Sequence, residues 1–241
     1  DAVSTVQPLV SSIGDRVWLD ADADGIQDEG EGGLRNVLVR LVTQDGTVHA
    51  TTITDGAGSF RFAGIDPGTY AVEVAPPEGH AVSPRGAIAD PALDSDADPV
   101  GRRTQLVTVA GGQDVDGLDV GVFELAAIGD RVWWDADENG AVDPGEGPVV
   151  GVPVRLFSGT GEAVASTRTD GRGRFRFDDL QPGAYAIEVD PPTGYAPAPE
   201  ASVDARSGQT SVFTVASGQR LAMPIGLVRL TGSALLVGAS V

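Results

Sequence analysis

Residues 59–75 read Ser-Phe-Arg-Phe-Ala-Gly-Ile-Asp-Pro-Gly-Thr-Tyr-Ala-Val-Glu-Val-Ala. Phe60 and Phe62 flank Arg61, Pro67-Gly68 interrupts the run, and Tyr70, Val72 and Val74 then alternate with Ala71 and Glu73. A period of two sends successive side chains to opposite faces of a pleated ribbon, so each run reads as a strand with one buried face. Upstream, Val37, Val39 and Leu41 alternate with Leu38, Arg40 and Val42 in the same way. No window holds a helical period.

The same text returns 115 positions later. Residues 13–84 align without a gap onto 128–199, with 39 of 72 positions identical. Ile13-Gly14-Asp15-Arg16-Val17-Trp18 recurs as Ile128-Gly129-Asp130-Arg131-Val132-Trp133, and Phe60-Arg61-Phe62 as Phe175-Arg176-Phe177. A repeat of this length means two copies of one domain rather than a solenoid. Strands are predicted near 14–19, 36–43, 47–54, 59–63, 69–75, 104–109 and 117–123. In the second copy they fall near 129–134, 151–157, 162–169, 174–178, 184–189, 210–215 and 221–228. About seven short strands per copy, separated by Gly, Pro, Asn and Asp clusters, predict an all-β chain of two tandem Ig-like β-sandwiches. The boundaries read as an N-terminal arm (1–12), a first repeat (13–124), a second repeat (125–228) and a C-terminal strand or tail (229–241). The joint Glu124-Leu125-Ala126-Ala127 is short enough to predict a restrained pair.

Composition removes whole classes of function. Sixteen basic residues against 35 acidic ones give a net charge of −19, which repels nucleic acid and anionic lipid and attracts divalent cations. There is no Cys, so disulfides, thiolate metal sites and cysteine nucleophiles are excluded. Lys is also absent, every basic residue being Arg, which removes Schiff-base chemistry and lysine cross-links. A GC-rich genome or adaptation to salt would each produce that bias. No apolar stretch is long enough for a membrane helix. A start at Asp1 fits a mature chain after signal removal as well as a cytosolic one, and the loops described next favour export.

Residues 20–31 read Asp-Ala-Asp-Ala-Asp-Gly-Ile-Gln-Asp-Glu-Gly-Glu, and 135–146 read Asp-Ala-Asp-Glu-Asn-Gly-Ala-Val-Asp-Pro-Gly-Glu. Both fit the twelve-residue calcium-loop template, which needs oxygen ligands at alternating positions, Gly at six, a backbone carbonyl at seven and a bidentate Glu at twelve. The first loop offers Asp20, Asp22, Asp24 and Glu31, with Ile26 through its carbonyl and Asp28 directly or through water. The second offers Asp135, Asp137, Asn139 and Glu146, with Ala141 through its carbonyl and Asp143 in the ninth place. Strands rather than helices flank them, so each is a calcium loop set into a β-fold.

Copy one alone carries the polar stretch Asp90-Pro-Ala-Leu-Asp-Ser-Asp-Ala-Asp98. Its Asp94, Asp96 and Asp98 alternate, and with Asp114, Asp116 and Asp119 they are candidates for a further cation site; a solvated acidic loop is the competing reading. Asp15 and Asp130 are further candidate ligands. Enzyme signatures are absent: His49 and His80 align with Val164 and Tyr195, and no nucleophile elbow or phosphate loop occurs. Trp18 and Trp133 read as core. Trp134, aligned with Leu19, reads as an exposed contact residue beside the second loop.

Together these motifs resemble the calcium-binding B-repeat domains of staphylococcal serine-aspartate repeat adhesins, within the collagen-adhesin B-type, prealbumin-like superfamily. The resemblance covers 13–123 and 128–228, and Asp94-Ser95-Asp96 resembles a family feature that copy two lacks. It implies an extracellular, non-enzymatic spacer whose rigidity depends on Ca²⁺. Many relatives carry a Lys–Asn isopeptide bond promoted by an acid on a strand like those of Glu73 and Glu188; without lysine that bond cannot form, leaving metal as the staple. No sorting signal and no serine-aspartate tract supports wall anchoring here. The expected partners are Ca²⁺ and copies of the chain or other cell-surface proteins, with no nucleic acid and no membrane span. A sharper variant makes the chain a subunit of a surface filament or layer, with residues 2–10 and 230–241 pairing with a neighbour's sheet edge. The competing class is a carbohydrate- or protein-binding surface module.

Overall fold

A computed structural model describes residues 10–86, 92–199 and 202–230. The arm before Val10, Asp90 and Pro91 of the polar stretch, and the tail beyond Leu230 lie outside the described residues. The chain divides into two compact units, residues 1–125 and 126–241, each with its own core.

Unit 1 contains β1 (Ser11–Leu19), β2 (Leu38–Thr43), β3 (Val48–Ile53), β4 (Ser59–Ile65), β5 (Gly68–Ala75), β6 (His80–Val82), β7 (Val107–Val109), β8 (Asp114–Val115) and β9 (Val120–Glu124). One sheet runs β4-β1-β9-β6 with β8 also paired to β1, and the other runs β3-β2-β5-β7. Unit 2 repeats the plan with β10 (Ala126–Trp134), β11 (Pro153–Ser158), β12 (Ala163–Arg168), β13 (Arg174–Leu180), β14 (Gly183–Val189), β15 (Tyr195–Pro197), β16 (Phe213–Val215), β17 (Arg220–Ala222) and β18 (Ile225–Arg229). Its sheets are β13-β10-β18-β15, with β17 on β10, and β12-β11-β14-β16. The chain is therefore all-β, two tandem β-sandwich-like domains.

Each of the seven strands expected per copy has a counterpart; β6, β8 and β15 are additional, and the strand expected at 221–228 is divided at Met223-Pro224 into β17 and β18, proline having no amide to donate to a ladder. β6, β8 and β15 are only two or three residues long, too short for alternation to declare itself. β1 also begins earlier than the repeat does. Ser11 and Ser12 are buried there, the Ser11 hydroxyl donating to the Ala110 carbonyl at 2.9 Å.

The alternating residues point inward as the pattern requires. Ile13, Val17, Val39, Leu41, Phe60, Phe62, Val72, Val74, Val120 and Val122 fill the first core. Their counterparts Ile128, Val132, Val154, Leu156, Phe175, Phe177, Ile187 and Val189 fill the second, with Ile225 and Leu227. Each fully buried aliphatic side chain is worth about 1.5–3 kcal/mol relative to exposure. Buried threonines tie the layers: Thr54 accepts from the Val37 amide at 2.9 Å and donates to the Leu34 carbonyl, and Thr169 repeats this with Val152 and Val149.

Candidate metal centre

Each acidic loop leaves the sandwich from its central strand. β1 continues one residue past Leu19, where the Asp20 amide donates to the Val122 carbonyl at 2.9 Å; the Asp135 amide likewise donates to Leu227. The loop bases are closed by the Leu19 amide on the Gly32 carbonyl and the Trp134 amide on the Gly147 carbonyl, both at 2.9 Å. Position one is thus fixed to the core, and Asp20 and Asp135 are both fully buried.

Within the first loop Asp20 accepts from the amides of Ala23 (2.7 Å) and Gly25 (2.9 Å). Asp24 accepts from Ile26 at 2.7 Å, and Glu31 folds back to accept from Ala21 (2.7 Å) and Asp28 (3.1 Å). The second loop repeats this wiring with one change, position one accepting from position five rather than position four. Asp135 accepts from Asn139 and Gly140, the Asn139 side-chain oxygen from Ala141, and Glu146 from Ala136 and Asp143. The backbone agrees as well: position four is left-handed in both (Ala23 φ 61°, Glu138 φ 63°), as is the glycine at six (Gly25 φ 81°, Gly140 φ 73°).

Carboxylate oxygens of Asp20, Asp22 and Glu31 come within 4.8 Å of one another, as do those of Asp135, Asp137 and Glu146; Asp22, Asp24 and Asp28 form a further group. Positions one, three and twelve therefore converge in both loops. An all-oxygen donor set suits a hard cation such as Ca²⁺. Electrostatics agree with that chemistry. Burial raises the carboxyls of Asp24 and Glu31 above their ordinary values against the amide bonds each accepts, and neighbouring aspartates push the same way. A divalent cation would reverse both effects. In the second loop the Asn139 amide donates to Asp137 (3.0 Å) and Asp143 (2.6 Å), joining positions five and nine without a carboxylate of its own.

The copy-one stretch has a role that spacing did not disclose. The Gln27 amide donates to the Leu93 carbonyl at 2.7 Å, the Ser95 amide to Gly25 at 2.8 Å, and Ile26 and Asp94 form a bridge. Residues 93–95 thus brace the back of the first loop, and the seventh-position Ile26 sits in that brace, whereas Ala141 is exposed. Asp94, Asp96 and Asp98 do not form one group among the described residues. Asp98 instead accepts from Val100 and Gly101, capping a turn. Asp96 accepts from the Asp119 amide at 3.0 Å, and Asp119 shares a hydrogen bond with Asp15. Asp114 and Asp116 turn to Arg61, at 3.1 and 3.6 Å. In unit 2, Asp130 lies 3.9 Å from Arg131.

Trp18 and Trp133 are core residues, 0% and 3% exposed. Trp134 is half-buried and packs against the second core, with the Arg229 guanidinium 4.2 Å above its ring. Its open face is thereby shared with an intramolecular cation rather than left to a ligand.

Repeated sandwiches with an oxygen-rich loop at the end of the central strand define a tandem β-sandwich module. The SdrD B-like domain model matches residues 11–122 and 126–223, and the chain belongs to that family. Serine-aspartate repeat-containing protein F of Staphylococcus epidermidis is 36% identical over 201 residues, covering 82% of this chain and 12% of that protein. Protein D of Staphylococcus aureus strain Newman is 35% identical over 187 residues, covering 77% of this chain and 14% of that protein. The chain thus spans only a small part of the length of these relatives. Among solved structures, a streptococcal ancillary pilin covers 92% of this chain and 63% of its own at 17% identity and a TM-score of 0.37, which adds nothing to the assignment. The family is structural and adhesive rather than catalytic, and its place is extracellular. No helix among the described residues is long and apolar enough to cross a membrane.

Proposed function

We propose that the chain is a calcium-stiffened spacer, two β-sandwiches in tandem whose loops 20–31 and 135–146 each hold Ca²⁺. The ligands are Asp20, Asp22, Asp24 and Glu31, with the Ile26 carbonyl and Asp28, and Asp135, Asp137, Asn139 and Glu146, with the Ala141 carbonyl and Asp143. The observation that carries this is the duplicated convergence of positions one, three and twelve on a buried first aspartate. Without a cation these carboxylates repel one another; with one, order in the loop and binding are coupled. Since position one is an extension of the central strand, that order is transmitted directly into the sandwich. As part of a longer surface protein such a pair would hold a distal domain away from the cell.

Thermal unfolding in 1 mM Ca²⁺ and again in excess chelator tests the reading. A site with a dissociation constant of about 10 μM adds about 2.7 kcal/mol at about 1 mM free ion. A melting temperature that ignores calcium would sink it.

A further inference from the structure

Unit 1 carries 21 acidic and 7 basic residues, a net −14; unit 2 carries 14 and 9, a net −5. Five of those nine arginines line one open groove of 740 Å³ in unit 2, together with only two carboxylates. Its floor is the outer face of the β13-β10-β17 ladder. Gly129 sits at the centre, paired with Arg176 on one side and Ala222 on the other, while Arg131 pairs with Arg174 and Ala127 with Arg220. Opposite residues in a ladder share a face, so Arg131, Arg174, Arg176 and Arg220 surround a floor of Ala127, Gly129 and Ala222. Gly129 is obligatory: a Cβ there would lie 2.6 Å from the Phe175 carbonyl, and its absence keeps the floor open. Arg168 closes one end, held by its bond to the Gly151 carbonyl.

The homologous face of unit 1 has the opposite character. Its pairing partner for Ser12 is Asp114, where unit 2 pairs Ala127 with Arg220, and Ser59 stands where unit 2 has Arg174. Arg61, the counterpart of Arg176, is consumed by Asp114 and Asp116. In unit 2, Arg176 is paired with Asp178, but the side chains of Arg174 and Arg220 make no hydrogen bond or ion pair among the described residues. One face has been neutralised from within and its duplicate left with exposed guanidinium groups.

We propose that this groove of unit 2 binds an anionic polysaccharide, a chain carrying carboxylate or sulfate groups beside free hydroxyls. Planar guanidinium forks match such oxyanions bidentately. The two carboxylates favour a saccharide over an acidic polypeptide. Asp170 lines the groove beside the arginines and Asp130 lies 3.9 Å from Arg131; both are acceptors, which a sugar meets with hydroxyl donors on every ring and an acidic peptide only through its backbone amides. The ladder beneath is fully paired at β10, so an extended peptide finds no backbone donors on the floor. The volume falls within the roughly 300–1,000 Å³ of small-ligand sites, room for a few sugar rings.

The test is binding of the full chain, in 1 mM calcium, to immobilised heparin and hyaluronan, with neutral dextran and poly-aspartate as comparators. Binding to at least one anionic sugar, with none to dextran, is expected. The variant Arg174→Ser/Arg220→Asp, which installs the unit 1 residues at the matching positions, loses at least tenfold in affinity; Arg61→Ala in unit 1 changes it less than twofold. The milder Arg174→Gln/Arg220→Gln variant repeats the loss if the first folds poorly, and a calcium-dependent melt confirms the scaffold separately in each. No binding to either sugar, equal binding by the variants, or poly-aspartate held as tightly as the sugars would overturn the proposal.

Discussion

The Gly25 amide donates to Asp20 Oδ2 at 2.9 Å, and this bond from position six to position one fixes the sharp turn of the first loop. It is possible only because Gly25 holds φ at +81°; a Cβ there would also lie 2.1 Å from the Pro84 carbonyl. The left-handed conformation alone costs an L-residue about 1–2 kcal/mol, and the collision with backbone adds to it. Gly25→Ala is therefore expected to lower stability by more than about 2 kcal/mol in denaturant melts, with weakened calcium response in unit 1. A variant as stable as the parent would show that the turn is not set by this contact.

Glu31 and Glu146 each chelate two amides across their loop, so replacing either by Gln turns one acceptor into a donor facing an N–H. Both variants should lose about 1–3 kcal/mol even in chelator and then lose the increment that calcium supplies to that unit. The two units should differ. Residues 93–95 brace only the first loop, so less ordering remains to be done when its ion binds, and calcium titration should resolve a tighter site abolished by Glu31→Gln. A single class of sites removed equally by either substitution would argue against the brace.

Glu73 lies on β5 and receives Arg40 Nη1 at 2.7 Å and Arg103 at 2.6 Å. Burial pushes its carboxyl up, but the hydrogen bonds from Arg103 and Arg40 outweigh that and hold it below its ordinary 4.5. A depressed carboxyl stabilises the fold above the unfolded value and loses that contribution as pH falls through the folded one. Unit 1 should therefore soften below about pH 4.5, and Glu73→Gln should remove the acid dependence while costing about 1 kcal/mol at pH 7, a modest figure because both arginines are a third or more exposed. Acid melts of the variant that retain the parental slope would contradict this.

Alternation over β2, β4 and β5 was legible in the sequence because each strand buries one face only. The grouping of positions one, three and twelve in each loop was legible because the calcium-loop template fixes the order of residue types. β6, β8 and β15 were not, since two or three residues carry no period, and the run 221–228 hid the break at Pro224 that separates β17 from β18. Residues 93–95 read as an acidic stretch, yet their contribution comes through the backbone groups of Leu93, Ser95 and Asp94, which no side-chain pattern advertises. Trp134 read as exposed from its alignment with Leu19; its cover, Arg229, is distant in sequence and enters through the β10–β18 pairing. Charge reversal between the duplicated faces was present in the residues Asp114 and Arg220 but invisible until pairing register aligned them.

Asp119 is buried between Asp15 and Asp96 in unit 1. Burial first, then its hydrogen bond with Asp15 and the charges of Asp15 and Asp96, push its carboxyl from 3.8 up to about 9. Folding at neutral pH therefore takes up a proton, which the unfolded chain does not hold. A raised carboxyl contributes fully below its unfolded value and loses that contribution as pH rises toward the folded one, so the calcium-free protein should lose stability steadily from about pH 4 to pH 9. Asp119→Asn keeps a donor for Asp15 without a titrating proton. In chelator its melting temperature should be flatter with pH than the parent's and exceed it at pH 8. Parallel curves for the two proteins would show that Asp119 is not the proton acceptor.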